Sequence, residues 1–378
     1  MIEKRSEWMH MLIFSSCLLV TGILSGQRNT PLDITIDFES YDPPSSLVVP
    51  VSDVRKARFP FVDVHSHHFR MAEQDLNKLI AEMDQLNMKV IVNLSGRGGH
   101  YLKAMADNIK AHGYEDRILL FTNIELRTID EPDWSENTVK QIEYDIDNGA
   151  RGLKLYKSQG MFNQDKNGER IKITDPRLQP IWDVCGRHGL PVLIHAADPA
   201  AFWQAHDSLN ERWLELKLIP SRKREDNDPA PWESIINEQL DLFRQNPGTN
   251  FISAHFSWFA NDLTHLGKLL DEIPNMYIET GAIIAELGRQ PRRAFKFFNQ
   301  YQDRILFGKD AYNVEEYYTY FRVFESADEY FPYYKRYHAF WKMYGLDLPD
   351  SILKKLYYQN AFNLIPGIKP ELWKENMD

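Results

Sequence analysis

Residues 61–67 read Phe-Val-Asp-Val-His-Ser-His, a short apolar run that ends in two histidines, His65 and His67. Side chains on a strand alternate between faces, so the two imidazoles point the same way with Asp63 beneath them. Two imidazoles on one face of a strand end are half of a metal site, and neutral imidazole suits zinc and other late divalent ions. Further ligand types end later apolar runs: His195 closes 191–195, His255 closes 251–255, and Asp310 follows 304–307. Imidazoles joined by a carboxylate make a coherent shell for one catalytic divalent ion. A lone histidine at a strand end is more often a core or loop residue, so the set carries more than any member.

Those runs belong to a regular alternation of strand-like and helix-like segments. The spacing predicts strands at 61–64, 89–94, 118–123, 152–156, 191–195, 251–255, 276–279 and 304–307. Amphipathic helical stretches lie between them, among them 75–86, 102–111, 135–148, 180–187, 232–245 and 263–272. This pattern predicts an α/β fold, a closed (β/α)8 TIM barrel, more readily than an open sheet. A doubly wound sheet is the alternative, but no glycine-rich phosphate turn follows the first run. In a parallel barrel all strand C-termini meet at one mouth, so His65, His67, His195, His255 and Asp310 should converge there.

The barrel is expected over residues 59–368, followed by a short tail, 369–378. Residues 27–58 carry Pro31, Pro43, Pro44 and Pro50 and read as an extended N-terminal arm lying on the barrel. A long insertion after strand five, residues 196–250, is rich in Trp, His and charge. Its run Arg222-Lys223-Arg224-Glu225-Asp226 reads as a solvated loop, and its Trp203 and His206 as candidate pocket-wall residues.

A chain of 378 residues buries a large core without needing disulfides. The formal charge of -10 argues against nucleic acid, whose phosphates need a basic footprint, and against anionic membranes. Residues 1–26 read as a signal peptide: Lys4 and Arg5 precede the apolar run 11–24, and Ser25-Gly26-Gln27 supplies small residues for cleavage. The expectation is an exported protein, periplasmic or extracellular, without stable membrane association after cleavage. An uncleaved anchor and a lipoprotein at Cys17 are the alternatives.

The ordered set His65-x-His67, Ile194-His195, Ala254-His255 and Ile305-Leu306-Phe307-Gly308-Lys309-Asp310 resembles the signature of the amidohydrolase superfamily. It is most similar to the amidohydrolase-related branch that includes aminocarboxymuconate-semialdehyde decarboxylase. The ending Tyr358-Gln359-Asn360-Ala361 resembles that branch as well, and the likeness covers roughly residues 59–366. It implies that His65, His67 and His195 bind a metal, with Asp310 as fourth ligand or partner of the bound water. It implies that His255 polarises the substrate carbonyl or relays a proton. One divalent ion is expected, zinc first, with manganese or iron as alternatives and two ions less favoured. The implied reaction is attack of a metal-bound hydroxide on a carbonyl of a small amide, ester or lactone, with Asp310 as base and then acid. A non-hydrolytic decarboxylase on the same scaffold is the alternative, and an inactive barrel acting as a binding protein is the second.

Other residues have two readings each. Lys154, on strand four, is either, as the resemblance to two-metal members of the superfamily implies, a carboxylated bridge between two ions or, the favoured reading, a buried lysine paired with Glu279 or Asp63. Glu279 is a supporting acid or half of a structural ion pair. Arg97, on the loop after strand two, could hold a substrate carboxylate. Lys309 should point away from the barrel interior. Beyond Asp310 the chain is dense in aromatics whose spacing says core or subunit interface, so a homo-oligomer is an open expectation. Tyr312, the nearest, could line a pocket for a ring-bearing substrate.

Overall fold

The expected strands all form in a computed structural model, which describes residues 35–369, 371 and 373. They are β1 (Phe61–Ser66), β2 (Met88–Asn93), β3 (Ile118–Asn123), β4 (Ala150–Leu155), β5 (Val192–Ile194), β6 (Phe251–Ser253), β7 (Met276–Glu279) and β8 (Ile305–Leu306). Each pairs in parallel with its neighbour in sequence order. The ring is closed between β8 and β1, where the Val64 N–H donates to the Phe307 carbonyl (3.0 Å) and the Asp310 N–H to the His65 carbonyl (2.6 Å). Every residue of β1 is buried, as a parallel strand with both faces covered requires.

Helices wrap the barrel: α1 (Leu76–Leu86), α2 (His100–Ala111), α3 (Trp134–Asp147), α4 (Lys157–Met161), α5 (Gln179–Arg187), α6 (Trp213–Leu218), α7 (Trp232–Gln245), α8 (Leu263–Glu272), α9 (Ile284–Gly288), α10 (Pro291–Gln300) and α11 (Val314–Glu325). Their starts follow cap chemistry. Asp75 accepts from the Lys78 N–H at α1, Asp262 from His265 at α8, and Asn313 from Glu315 at α11. Asn87 ends α1 in the left-handed region at φ 68°. Among the described residues no helix is long and apolar enough to cross a membrane.

The chain divides into two compact units, residues 1–46 and 47–378. The expected signal peptide lies outside the described residues, as does the first part of the arm. In the first unit the described residues hold one short 3-10 turn, Phe38–Ser40. Residues 47–58 belong to the barrel unit, where Ser52 bonds Asp328 through its N–H (2.7 Å) and its hydroxyl (2.8 Å). In the expected tail, Trp373 is buried and packs on Tyr358 and Phe362.

The insertion after β5 corrects one expectation. Its charge run is not a solvated loop throughout, because Arg222 pairs with buried Glu215, and Arg224 with buried Asp198 (2.9 Å). Several aromatics after Asp310 are core, with Tyr317, Tyr320, Phe321 and Phe324 buried on α11 against Phe307, while Tyr330 and Phe340 are exposed.

Candidate metal centre

His65 and His67 leave the end of β1 toward the mouth, and each imidazole is tied back through Nδ1. His65 Nδ1 faces Glu279 Oε1 at 3.0 Å, and His67 Nδ1 faces Ser95 Oγ at 2.8 Å. A carboxylate only accepts, so His65 carries its proton on Nδ1 and keeps the Nε2 lone pair free. His255 Nδ1 donates to the Gly281 carbonyl (2.8 Å), which leaves its Nε2 to accept from His195 Nδ1 (3.3 Å). His195 therefore also presents a free Nε2. The buried Nε2 atoms of His65 and His195 have no hydrogen-bond partner among the described residues.

Asp310 faces these lone pairs, with Oδ1 at 3.5 Å from the Nε2 of both His65 and His67. Donor atoms of His65, His67 and Asp310 lie within 4.8 Å of one another, as metal ligands must. A second group, His65, His255 and Glu279, satisfies the same distance but is already joined by hydrogen bonds. His195 stands one ring further out, edge-on to His255 with centroids 4.4 Å apart. Free, buried, unprotonated nitrogens around a carboxylate fit a divalent ion well.

Electrostatics point the same way. Burial first, then the charge of Lys154, push the His65 imidazole well below its ordinary range, and the same two causes bring His67 to about 4. Burial first, then the neighbouring His255, push His195 down. Burial raises Asp310, but the surrounding histidines and Lys154 outweigh it and hold the carboxyl below its usual value. Neutral imidazoles beside an ionised carboxylate are the protonation states that ligands need.

Glu279 is the hub of this arrangement. Fully buried, it takes the His65 ring, the His255 N–H (2.7 Å) and the Gly281 N–H (2.6 Å). That makes it a supporting acid, not the partner of Lys154. Asp63 is also occupied elsewhere, accepting from the His65 N–H (2.9 Å), the Lys309 N–H (3.2 Å) and the Tyr317 hydroxyl (2.5 Å). Hence the expected ion pair of Lys154 does not form. Its fully buried Nζ has no hydrogen-bond partner among the described residues, and burial, opposed by Asp310 and Glu279, lowers it to about 8. Lys309 points away from the barrel interior as expected, into Glu316 on α11 and the Ala311 carbonyl.

Two clefts adjoin the histidines. One, of about 710 Å³, has Phe69 and Tyr156 stacked on His67 and holds Arg97 at its rim. The exposed Arg97 guanidinium lies 5.0 Å from the Tyr101 ring and makes no ion pair among the described residues. The other, of about 340 Å³, includes Trp258, whose ring lies 4.6 Å from His255 and 5.7 Å from His195. Trp203, His206 and Tyr312, expected as pocket residues, line neither. Trp203 donates to the Ala230 carbonyl (2.8 Å), the exposed His206 faces the Trp213 carbonyl (2.9 Å), and Tyr312 donates to Glu82 on α1 (3.1 Å).

Sequence reasoning missed Ser95, Tyr156 and Trp258. Tyr156 follows β4 directly and Ser95 lies two residues past β2, so their place just beyond C-terminal strand ends was a usable signal. Trp258 had none. It arrives through a run of left-handed residues, His255 to Trp258 with φ of 53–61°, in a stretch without glycine. Each such residue costs roughly 1–2 kcal/mol, and such strain gathers at functional sites.

A (β/α)8 barrel whose mouth gathers imidazoles beside a carboxylate, donor types that suit a divalent ion, sets this chain among the barrel enzymes. Within that class the chain belongs to the amidohydrolase family, whose model, described as Amidohydrolase, matches residues 128–366. That match takes in His195, His255 and Asp310 and begins after β1. No curated protein matches the sequence. Among solved structures, 2,6-dihydroxybenzoate decarboxylase complexed with 2,6-dihydroxybenzoate is similar at 13% identity and TM-score 0.52, over 81% of this chain and 99% of that one. An uncharacterized TIM-barrel protein from Bordetella bronchiseptica is similar at 15% identity and TM-score 0.51, over 81% of this chain and 98% of that one. Both likenesses establish the barrel fold.

Proposed function

We propose that this chain is an exported metal-dependent hydrolase that adds water across the carbonyl of a small organic amide, ester or lactone. The observation that carries the reading is the tie-back of His65 and His195 through Nδ1, which leaves their buried Nε2 lone pairs without a partner among the described residues, with the Nε2 atoms of His65 and His67 3.5 Å from Asp310. A divalent ion held there would polarise a carbonyl and lower the pKa of water, and zinc suits this donor set, with manganese or iron as alternatives. Asp310, kept ionised by its neighbours, takes the proton of the attacking water and returns it to the leaving group. His255 holds His195 in one tautomer and joins it to the Gly281 carbonyl. Arg97 offers a guanidinium to an anionic group on the substrate. Export rests on residues 1–26, with Lys4 and Arg5 before an apolar run.

Replacing both His65 and His67 with alanine tests the reading. The double variant should fold, lose its divalent ion by elemental analysis and lose activity on carbonyl substrates. Full retention of ion and activity would refute it. The barrel likeness to a decarboxylase supports a second reading on the same residues. Release of carbon dioxide without consumption of water would establish that reading in place of hydrolysis.

A further inference from the structure

The smaller cleft, beside His195 and His255, is built from Trp258, Gln204, Asn261, Arg212, Glu286 and Arg289 among others. Its charges are internally spent. Arg212 pairs with Glu286 and with Glu215 (3.0 Å), and Arg289 grips Glu211 through two bonds of 2.9 Å. A cationic or anionic ligand would meet an equal and opposite pair, so the cleft selects for neither. Trp258 adds a partly exposed indole, and Gln204 and Asn261 add exposed amides. An aromatic surface beside neutral amides, with the neighbouring charges paired off, suits a ring with apolar C–H faces and hydroxyl edges.

We propose that this cleft is a substrate subsite for an uncharged, hydroxyl-rich ring of the sugar or polyol class, seated on Trp258 with its hydroxyls bonded to the Gln204 and Asn261 amides. Trp258 touches the rings of His195 and His255, so the group seated there is the part of the substrate joined through the reacting carbonyl. That last assignment rests on the proposed hydrolysis. In an ester of this kind the water oxygen bonds to the carbonyl carbon, and the bond between that carbon and the ring-bearing oxygen breaks. The proton passes to the departing ring oxygen, giving an acid and a free polyol.

Saturation-transfer NMR of the full chain with methyl β-glucopyranoside tests the subsite, with cyclohexylammonium as the charged comparison. The expected result is saturable glucoside binding, at least fivefold weaker in Trp258→Ala and in a Gln204→Ala/Asn261→Ala double variant. Arg70→Ala, an exposed change elsewhere, should bind as wild type does. The amide variant alters only exposed side chains, so it reads the cleft even if Trp258→Ala disturbs the fold. Absence of saturation, equal binding in the amide variant, or preference for cyclohexylammonium would overturn the proposal. Hydrolysis of glucose esters is followed separately. Glucoside binding without any hydrolysis would sink the hydrolase reading and leave the subsite standing; hydrolysis of plain esters without glucoside binding would do the reverse.

Discussion

Gly281→Ala puts one methyl group against the hub of the candidate metal centre. Gly281 is not in the left-handed region, so its backbone accepts alanine and the effect is steric. The new Cβ would lie 2.8 Å from Glu279 Oε2 and 3.3 Å from His65 Nδ1, where ordinary contact begins at 3.4 Å. The carboxylate must therefore retreat by about 0.6 Å, the difference between 3.4 and 2.8 Å. It cannot do so freely, because it holds the His65 ring, the His255 N–H and the Gly281 N–H at 2.6–3.0 Å. Overpacking of this kind costs about 1–3 kcal/mol. Displacing the partner that orients a ligand costs about 10–100-fold in metal affinity. Competition for zinc against a chelator, with urea unfolding on the same samples, measures both. Adding Glu279→Ala should relieve the methyl contact, shrinking the stability cost of the glycine change while metal affinity stays low. Wild-type zinc affinity in Gly281→Ala, within about twofold, would refute the view that Glu279 positions His65 for a metal.

Ser95→Ala removes the group that holds His67 Nδ1 at 2.8 Å and should weaken metal binding about tenfold without unfolding the chain, read by the same competition. Lys154→Met deletes a buried ammonium without a hydrogen-bond partner and should raise stability, on the order of 1 kcal/mol, in urea unfolding. A lower midpoint would show that Lys154 has a stabilising partner. Tyr317→Phe strips the hydroxyl from Asp63, whose carboxyl burial already pushes up to about 7, and should cost about 1.5–3 kcal/mol. Glu215 is raised by burial, but the His338 hydrogen bond and the Arg212 and Arg222 charges outweigh that and bring it to about 2. A depressed carboxyl stabilises the fold above its ordinary value of 4.5, and that stability fades as pH falls toward about 2. The contribution is roughly 3 kcal/mol, so the stability gap between wild type and Glu215→Gln should narrow on acidification through this window. A gap independent of pH would remove Glu215 from the account.

Much of the fold was legible because it is written locally. The apolar run at 118–123 is β3, and the periodic stretches 232–245 and 263–272 are α7 and α8 to the residue. The topological rule that parallel strands end at one mouth then predicted that His65, His67, His195, His255 and Asp310 would gather, and the barrel brings them together. The chain alone thus determined which ligand chemistry is present and at which end of the barrel it lies, since residue type and strand position are sequence properties. Only the tertiary structure decided how those groups are aimed. The bonds from Glu279 to His65, from Ser95 to His67 and from Gly281 to His255 join segments far apart in sequence, and their pairing depends on register and loop path. The same holds for the bare Lys154 Nζ and for Trp258, carried to its cleft by a left-handed turn with no glycine to announce it. Local propensity prices one residue at a time, whereas these positions are set by contacts made only when the ring of strands closes.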